Sequence, residues 1–316
     1  MTKINKIPVI VIFAPTATGK TALTLDLFGK SGHFFCNNKA ELISADSMQV
    51  YKKMDIGTAK PSKKELQELK THLIDIHNID EPFSVAEFVE KSDFLCSEIY
   101  KNHKIPVIAG GTGFYIRNFI LGLPKTPESD EKIRENLKNR LLNEGKDNLF
   151  KELQKVDFES SQKIHPNDEY RILRALEVFY TTGKKRSSYE LNNTVRPGYD
   201  FKILVLERNR DELYERINNR VDLMFNQGLK EEVLNLIKDG AKKEDPGMQA
   251  IGYREWFEYQ DENVIREKIK RNSRKYAKKQ YTFMKEIPGA VTINLDSEKN
   301  LFERVLKEIQ PFFENC

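Results

Sequence analysis

The sequence predicts an α/β fold, in which helices flank a parallel sheet and an all-helical subdomain is inserted into this core. An apolar run over residues 7–13 leads directly into a loop and a helix. A strand, a crossover helix and a further strand follow over residues 41–109, which is the pattern of parallel α/β units. Residues 128–190, in contrast, are rich in Glu, Lys, Arg and Leu and contain no run typical of a strand.

Length and composition limit the class of protein. With 316 residues the chain suits one large domain or two. Charged residues make up 32%, the net charge is only +4, and no apolar stretch reaches the roughly 20 residues of a membrane span. The first apolar run lacks a cleavage-site pattern and is interpreted as a core strand rather than a signal peptide. We therefore expect a soluble, cytoplasmic protein without a membrane segment.

The cysteines give further information about the compartment. Cys36, Cys96 and Cys316 are few, odd in number and far apart. This pattern argues against a disulfide framework or a zinc site, and it fits a reducing cytoplasm.

The loop after the first strand has the composition of a phosphate-binding loop (P-loop). It consists of Ala14, Pro15, Thr16, Ala17, Thr18, Gly19, Lys20 and Thr21. Backbone N–H groups at a helix N-terminus lack partners, and the helix dipole favours negative charge there. Lys20 adds a positive charge, and Thr21 offers a hydroxyl suited to Mg²⁺. The sequence therefore predicts a bound di- or triphosphate in a P-loop NTPase-like core, although Ala14 replaces the usual first glycine.

Periodicity and turn residues predict the remaining elements. Strands are predicted at residues 7–13, 41–45, 105–109, 201–206 and 291–295. Helices are predicted at 21–28, from a capping box at Ser84–Glu87 onward, and over 211–227, 229–239, 261–286 and 298–313. The predicted plan is a discontinuous catalytic core of residues 1–117 and 201–316, with residues 118–200 as a helical insertion.

Three polar loops follow predicted strands and are expected to meet at one crevice, because ligands of open parallel sheets bind beyond the carboxyl ends of the strands. They are the P-loop, the turn Asp46–Gln49 and the segment Gly110–Thr112. Simpler interpretations exist: Asp46 could cap a helix, and the two glycines could form an ordinary turn.

A series of strings resembles the bacterial tRNA dimethylallyltransferases, also called tRNA isopentenyltransferases or the IPP transferase family. The strings are Ala14–Thr21, Leu42–Tyr51, Met54–Pro61, His72–Asp75, Gly110–Tyr115, His165–Asp168, Arg171, Arg174–Glu177 and Gly252–Arg254. They occur in order and span nearly the whole chain. Ala14 and Thr18 are mild departures from the glycine and serine of the family pattern.

The resemblance implies transfer of a dimethylallyl group from dimethylallyl diphosphate to N6 of the adenosine immediately 3′ of the anticodon, at tRNA position 37, without nucleotide hydrolysis. The P-loop then holds the donor's diphosphate, with Mg²⁺ near Thr21, although the loop alone does not distinguish this group from ATP. For this reaction we expect Lys20, the loop N–H groups and the Thr112 hydroxyl to surround the departing diphosphate, where fixed donors stabilise growing charge. Arg220 matches a family arginine that reaches the diphosphate; without that match it would be interpreted as a surface arginine of a helix. The resemblance makes Asp46 the candidate general base for the N6 proton.

The resemblance also implies residues that contact the tRNA anticodon stem-loop, whose target adenine must leave the stack to enter a crevice. These residues are Asp46, Ser47, Met48, Gln49, Thr112, Gln249, Ala250, Ile251, Gly252, Tyr253 and Arg254 in the core, and Arg134, Tyr170, Arg171, Ile172, Leu173 and Arg174 in the insertion. Arg171 and Arg174 stand three apart and share one helix face, so both could grip phosphates. The basic stretch 266–285 is either a further tRNA surface or an ordinary solvated helix.

Other functions stay open at this point. A P-loop kinase of a small metabolite shares the loop and the Mg²⁺ but needs neither Arg171 nor Arg174. An adenylate isopentenyltransferase prenylates free AMP, ADP or ATP and needs no RNA-gripping insertion. A non-enzymatic RNA-binding protein has no use for an intact Lys20 and Asp46. We expect the chain to act as a monomer.

Overall fold

Parallel strands form the centre of the fold. The computed structural model describes residues 6–189, 194–285, 287–297 and 300–314. The strands within them are β1 (Ile7–Phe13), β2 (Ala40–Ala45), β3 (Thr71–His72), β4 (Ile105–Gly110), β5 (Tyr199–Glu207) and β6 (Val291–Asn294). They form one sheet in the order β3-β2-β4-β1-β5-β6, and every pair is parallel. The predicted α/β class is confirmed, and every predicted strand is present.

Twelve α-helices occupy the described residues. They are α1 (Lys20–Phe28), α2 (Lys63–Glu68), α3 (Val85–Lys101), α4 (Gly113–Leu121), α5 (Glu131–Glu144), α6 (Lys146–Val156), α7 (Phe158–Lys163), α8 (Glu169–Thr182), α9 (Arg210–Asn226), α10 (Leu229–Lys238), α11 (Glu262–Met284) and α12 (Leu301–Phe313). Three short 3-10 helices add Arg186–Ser188, Gly247–Gln249 and Arg254–Phe257.

The central strand β1 is apolar along its whole length because helices cover both faces of the sheet. Its residues 9–13 have no exposed surface, as expected for a parallel strand buried on both sides. On one face, Leu27 of α1 and Ile309 of α12 belong to the same core as Ile10 and Ile12. Helices α3 and α4 contact β1 as well.

The register of the sheet aligns the strand ends that carry the polar loops. Phe13 at the end of β1 pairs with Gly110 at the end of β4. Gly110 in turn pairs with Ala45 at the end of β2. Because parallel strands point the same way, the segments that follow these residues leave the sheet at one edge.

The chain divides into two compact units, with boundaries at Leu121/Gly122 and Thr194/Val195. The second unit contains α5 to α8 around a core that includes Leu137, Leu153 and Leu176. The predicted insertion of 118–200 differs from this division because it takes in the end of α4 and the start of β5, both of which lie in the first unit. Asn118 explains the difference at the first boundary: this polar residue is buried in α4, where its amide donates to the carbonyl oxygen of Phe114 at 2.7 Å.

Two helix starts differ from the sequence pattern. Ser84 caps α3 by accepting from the Glu87 N–H at 3.1 Å, but the Glu87 carboxylate does not return the reciprocal bond of a capping box, since it contacts His77 Nε2 at 2.9 Å instead. A complete capping box occurs at α2, between Ser62 and Glu65, which was not predicted. The two-residue strand β3 was also missed, because it is too short for a periodic signal.

Two of the three cysteines are buried within the fold. Cys36 and Cys96 are buried free cysteines, and burial raises the pKa of Cys36 to about 11, which keeps its thiol protonated. Cys316 lies outside the described residues.

Across the part of the chain that is described, no helix combines the length and the apolar character needed to cross a membrane.

Gly110 offers a test of the close strand packing at this edge. A Cβ built there would lie 2.1 Å from the backbone oxygen of Ala45, so Gly110→Ala must displace the end of β2. We expect the free energy of unfolding to fall by about 1–3 kcal/mol, as for other overpacked sites. Urea denaturation measures this change. The control is Gly198→Ala, where no atom of the described residues lies within 4 Å of the new Cβ. Equal stability of the two variants would contradict the argument.

Candidate active site

A cavity of about 300 Å³ lies where the three polar loops leave the sheet, within the first unit. The P-loop, the Asp46–Gln49 turn and Gly111 all contribute to its wall, so the predicted meeting of these loops is confirmed. The described residues that line it are Ala14, Pro15, Thr16, Lys20, Thr21, Asp46, Ser47, Met48, Gln49, Gly57, Thr58, Ala59, Gly111, Arg220, Gln249, Ala250, Ile251, Arg254, Ser273, Tyr276 and Gln280.

The backbone of the P-loop leaves the start of α1 open. Gly19 precedes the helix with φ 108° and provides no side-chain cap, so the N–H groups of the first turn are available to an anion. Ala17 also has a positive φ, of 62°. Ala14 does not have a positive φ, and its N–H donates to the carbonyl oxygen of Gly110 at 3.2 Å. The methyl group in place of the usual glycine is therefore tolerated without backbone strain.

Three arginines donate hydrogen bonds to the P-loop. Arg208 Nε donates to the carbonyl oxygen of Thr18 at 2.8 Å, and Arg216 Nε donates to that of Ala17 at 3.0 Å. Arg220 Nη1 donates to the Thr16 hydroxyl at 3.1 Å, and only Arg220 of the three lines the cavity.

Sequence reasoning assigned a role to Arg220 but missed Arg208 and Arg216. The spacing of four residues between Arg216 and Arg220 on α9 was an available signal, because it places both side chains on one helix face. Arg208 follows β5 directly, and nothing in the local sequence points to its carbonyl partner.

Gln280 of α11 connects two of the loops. Its side-chain oxygen accepts from the Thr16 N–H at 3.1 Å, and its amide donates to the carbonyl oxygen of Gly111 at 2.7 Å. Ser273 and Tyr276 line the cavity from the same helix. These polar residues at helical spacing lie within the stretch 266–285, where the many positive charges mask their pattern.

The rest of that basic stretch is partly engaged within the protein. Arg266 and Lys270 lie 3.6 and 2.8 Å from the Asp222 carboxylate of α9. Arg271, Lys275, Lys278 and Lys279 are exposed. The stretch is therefore in part an ordinary ion-paired helix face, and its exposed remainder is basic.

The cavity concentrates positive charge. Burial lowers the pKa of Lys20 from the ordinary value of 10.5; the nearby Asp46 carboxylate opposes this change, and Arg220 adds to it. Burial likewise lowers the pKa of Arg220, again opposed by Asp46. Asp46 is the only carboxylate among the described residues of the cavity wall. Two desolvated cations share one negative partner, which favours a bound anion.

Asp46 is held by the turn that it begins. One of its oxygens accepts from the N–H groups of Met48 and Gln49, at 2.9 and 3.3 Å. Asp46 therefore does cap backbone N–H groups, as in the simpler interpretation, but these groups belong to a turn and not to a helix. Its other oxygen makes no hydrogen bond within the described ranges, so it is available to the cavity.

Thr112 supports this turn from the start of α4. Its hydroxyl oxygen accepts from the Ser47 N–H at 3.0 Å. Thr112 is not among the residues of the cavity wall, but its side chain lies within hydrogen-bonding reach of Tyr276, which is one of them.

Tyr276 of α11, an aromatic residue within the basic stretch, is a further candidate because it lines the cavity. Burial raises its pKa to about 12, and the charge of Asp46 adds to this effect. The phenol therefore stays protonated at neutral pH and presents a hydroxyl group to the cavity.

The segment predicted to bind RNA near residue 250 is only partly available. Gln249, Ala250, Ile251 and Arg254 line the cavity, whereas Gly252 and Tyr253 do not. Tyr253 has no exposed surface, and its hydroxyl donates to Glu232 at 2.6 Å. The Tyr253 side chain therefore has a structural role, and contact of this segment with tRNA stays a prediction.

The helical unit carries the other predicted RNA residues. Tyr170 and Arg171 are exposed near the start of α8, and Arg171 Nε lies 3.2 Å from its neighbour Asp168. Arg134 is half-buried on α5. Ile172 is a core residue, 1% exposed, and Leu173 packs against the same core. The helix turns the Ile172 side chain inward, so tRNA binding by this segment, which stays a prediction, would rely on its exposed residues.

Arg174 has partners inside the helical unit. It donates to the carbonyl oxygen of Pro127 at 2.6 Å and lies 3.0 Å from the buried Glu177 carboxylate. Burial, together with the charges of Arg171 and Arg174, lowers the pKa of Arg186, while Asp157 opposes this change. Arg186, which the sequence did not single out, thus extends the positive charge of this surface.

The donor set for a metal ion is sparse. No group of three or more His, Cys, Asp or Glu side chains suited to a metal occurs among the residues that the structure describes. Thr21 lines the cavity at the start of α1. This arrangement fits Mg²⁺, which commonly keeps few protein ligands and takes others from substrate phosphates and water.

The chain is similar to proteins of one family. Residues 49–287 match the family model described as IPP transferase. The chain is 40% identical over 311 residues to the tRNA dimethylallyltransferase of Thermoanaerobacter sp. (strain X514), covering 96% of each chain. It is 40% identical over 304 residues to the enzyme of the same name from Clostridioides difficile (strain 630), covering 95% of each.

Solved structures agree with these relatives. The tRNA isopentenylpyrophosphate transferase of Bacillus halodurans superimposes with a TM-score of 0.68 at 34% identity, over 98% of this chain and 96% of that one. A eukaryotic dimethylallyltransferase acting on tRNA superimposes with a TM-score of 0.81 at 26% identity, over 98% of this chain and 80% of that one.

Proposed function

The chain belongs to the IPP transferase family, and from this premise we propose that it is a tRNA dimethylallyltransferase: it moves the dimethylallyl group of dimethylallyl diphosphate to N6 of adenosine 37 in tRNA. One observation at the site carries the proposal. A single cavity joins an open helix N-terminus and two desolvated cations to one carboxylate. The first group suits a diphosphate, and the carboxylate suits a proton acceptor.

The reaction needs both parts of the cavity. The bond between the allylic carbon and the diphosphate oxygen breaks, and its electron pair leaves with the diphosphate. A new bond forms between that carbon and N6 of adenine, and N6 loses a proton. Donors fixed in advance around the departing charge stabilise the transition state, and we assign this role to the P-loop N–H groups, Lys20 and Arg220. We propose that the free carboxylate oxygen of Asp46 accepts the proton that N6 loses.

Thr112, in this proposal, positions the base rather than touching the diphosphate. Its hydrogen bond to the Ser47 N–H supports the turn that carries Asp46. The Tyr276 hydroxyl remains a proton donor in the same cavity.

We propose Mg²⁺ as the metal that accompanies the donor. It would sit at the Thr21 hydroxyl with the diphosphate, and its charge would help to neutralise the leaving group. Thr21 is suited to this role because its side chain reaches the cavity wall beside Lys20.

The acceptor that we propose is the anticodon stem-loop of tRNA, bound by one copy of the chain. The cavity wall from Gln249 to Arg254 and the turn Asp46–Gln49 would receive the extruded adenine. Arg171, Arg174 and Arg186 would contact phosphates from the helical unit, with Tyr170 beside them. Because tRNA is the acceptor, we place the reaction in the cytoplasm.

The direct experiment combines labelled dimethylallyl diphosphate with unmodified tRNA and analyses adenosine 37 after digestion. We expect one prenyl group on N6 and no ATP consumption. Parallel reactions offer AMP, ADP or ATP as the acceptor. Transfer to free adenylate but not to tRNA would identify an adenylate isopentenyltransferase, and ATP turnover without prenyl transfer would identify a kinase.

The proposed role of Asp46 as the general base can be tested with a variant that keeps the hydrogen bonds of its turn. In Asp46→Asn, one side-chain oxygen can still accept from the Met48 and Gln49 N–H groups, but the charge that takes the proton is removed. We expect kcat to fall by about 10²–10⁴, the usual range for a general base, with tRNA affinity nearly unchanged. Single-turnover kinetics and filter binding measure the two quantities. The exposed Asp26→Asn serves as the control, and unchanged turnover in Asp46→Asn would remove the proposed base.

The lowered pKa of Lys20 predicts a pH dependence of donor binding. Binding needs the charged amine, so affinity for dimethylallyl diphosphate is present below the Lys20 pKa in the free protein and falls as the pH rises through it. This fall should begin below the ordinary lysine value of 10.5. Lys20→Met should weaken binding at pH 7.5 by about 10-fold to 100-fold, since a hydrogen bond to a charged group contributes about 1.5–3 kcal/mol.

Calorimetric titration without tRNA measures these affinities across the pH range. The exposed Lys39→Met should keep the wild-type profile. A profile in Lys20→Met that still falls as steeply as in the wild type would assign the titration to another group.

The exposed arginine of the helical unit gives a test of RNA binding. Arg171→Ala should weaken tRNA binding and reduce the slope of log affinity against log salt by roughly 0.7–0.9 for each phosphate that the variant no longer neutralises. Its ion pair with Asp168 is exposed, so folding should be little affected. Arg174→Ala is less suitable because it also removes the bonds to Pro127 and Glu177. Lys151→Ala, exposed on α6, is the control, and an unchanged slope in Arg171→Ala would exclude the phosphate contact.

A further inference from the structure

The carboxylate of Glu232, on α10, accepts four hydrogen bonds from two separate segments of the chain. Its Oε2 accepts from the N–H groups of Asp55 and Ile56, at 2.9 and 2.8 Å. Its Oε1 accepts from the Gly57 N–H at 3.1 Å and from the Tyr253 hydroxyl at 2.6 Å. No lysine, arginine or histidine forms an ion pair with it in the described part of the chain. The carboxylate is therefore committed to backbone and phenol donors.

The first segment held in this way is a loop of the cavity wall. The cavity is lined by Gly57, whose own N–H group binds Glu232, and by the next two residues, Thr58 and Ala59. Gly57 also packs closely on the Tyr253 ring, since a Cβ at this position would lie 2.5 Å from it. Three successive N–H groups that point at one carboxylate fix the path of this loop.

The second segment is the wall that begins at Gln249. Tyr253 is fully buried, and burial together with the charge of Glu232 raises its pKa, so the phenol stays a donor. Its neighbours Ala250, Ile251 and Arg254 line the cavity. One carboxylate that does not line the cavity thus sets the positions of two of its walls.

We propose that Glu232 is a positioning residue for the acceptor base: it holds the loop Gly57–Ala59 and the wall Ala250–Arg254 at the separation that admits the extruded adenine. The inference rests on the proposed function, because it takes tRNA as the acceptor. Glu232 makes no described contact with the P-loop, with Lys20 or with Arg220, so the donor site is independent of it.

This independence predicts a split between the two substrates. Glu232→Gln keeps the size of the side chain but replaces one carboxylate oxygen with an NH₂ group, which cannot accept a hydrogen bond. At least one of the N–H or O–H groups that Glu232 binds is then left without an acceptor. We expect the KM for tRNA to rise by roughly tenfold to a hundredfold, while the KM for dimethylallyl diphosphate stays within about twofold. Tyr253→Phe, which removes one of the four bonds, should raise the KM for tRNA by a smaller factor.

The matched control is Glu231→Gln, an equal change of charge at the adjacent exposed position of α10. Hydrogen exchange without substrates provides a second readout, and it should show faster exchange in Glu232→Gln for the amides of residues 55–57. Glu232→Asp should restore part of the tRNA affinity, because a carboxylate remains.

The outcomes separate the inference from the proposed function. A wild-type protein that transfers no prenyl group to tRNA would contradict the proposed function, and the inference with it. Normal wild-type transfer with an unchanged tRNA KM in Glu232→Gln would overturn the inference alone. An equal rise of both KM values, or a general destabilisation seen as fast exchange throughout the first unit, would show a merely structural residue and would also overturn it.

Discussion

The concentration of positive charge at the open N-terminus of α1 is the constraint on which the site depends. Lys20 and Arg220 are desolvated beside backbone N–H groups that lack a side-chain cap. These positive groups repel one another, so they stay close together only where the surrounding structure holds them. Arg208, Arg216 and Gln280 provide this support through hydrogen bonds to the P-loop backbone. A bound diphosphate would then meet donors that need no rearrangement.

The acidic part of the cavity is organised by a different set of contacts. Asp46 is held by N–H groups of its own turn, and Thr112 holds that turn through Ser47. Glu232 holds further walls from behind, without lining the cavity itself. Apart from Gln280, which joins the P-loop to Gly111, the donor and acceptor regions thus rest on separate hydrogen bonds. This separation allows each region to be altered by substitution while the other is kept.

Much of the fold could be predicted from local patterns. The apolar run of β1, the open loop around Gly19 and the short turn at Asp46 each carry a signal within a few residues. The boundaries of the helical unit were less accurate, because a buried polar residue, Asn118, interrupts the apolar pattern of α4. The burial of Tyr253 could not be predicted either, because an aromatic residue in a segment that resembles an RNA-binding motif can equally be buried.

The sequence by itself determined the parallel sheet, the order of its polar loops and the open helix start at Gly19, because strand periodicity and helix-start chemistry act between near neighbours in the chain. Only the tertiary structure decided which distant groups support them. Gln280 reaches Thr16, and Glu232 reaches Gly57, across 264 and 175 positions of the chain. Such partners depend on how helices pack on the sheet, and no local pattern encodes a hydrogen bond whose two ends meet only after that packing is complete.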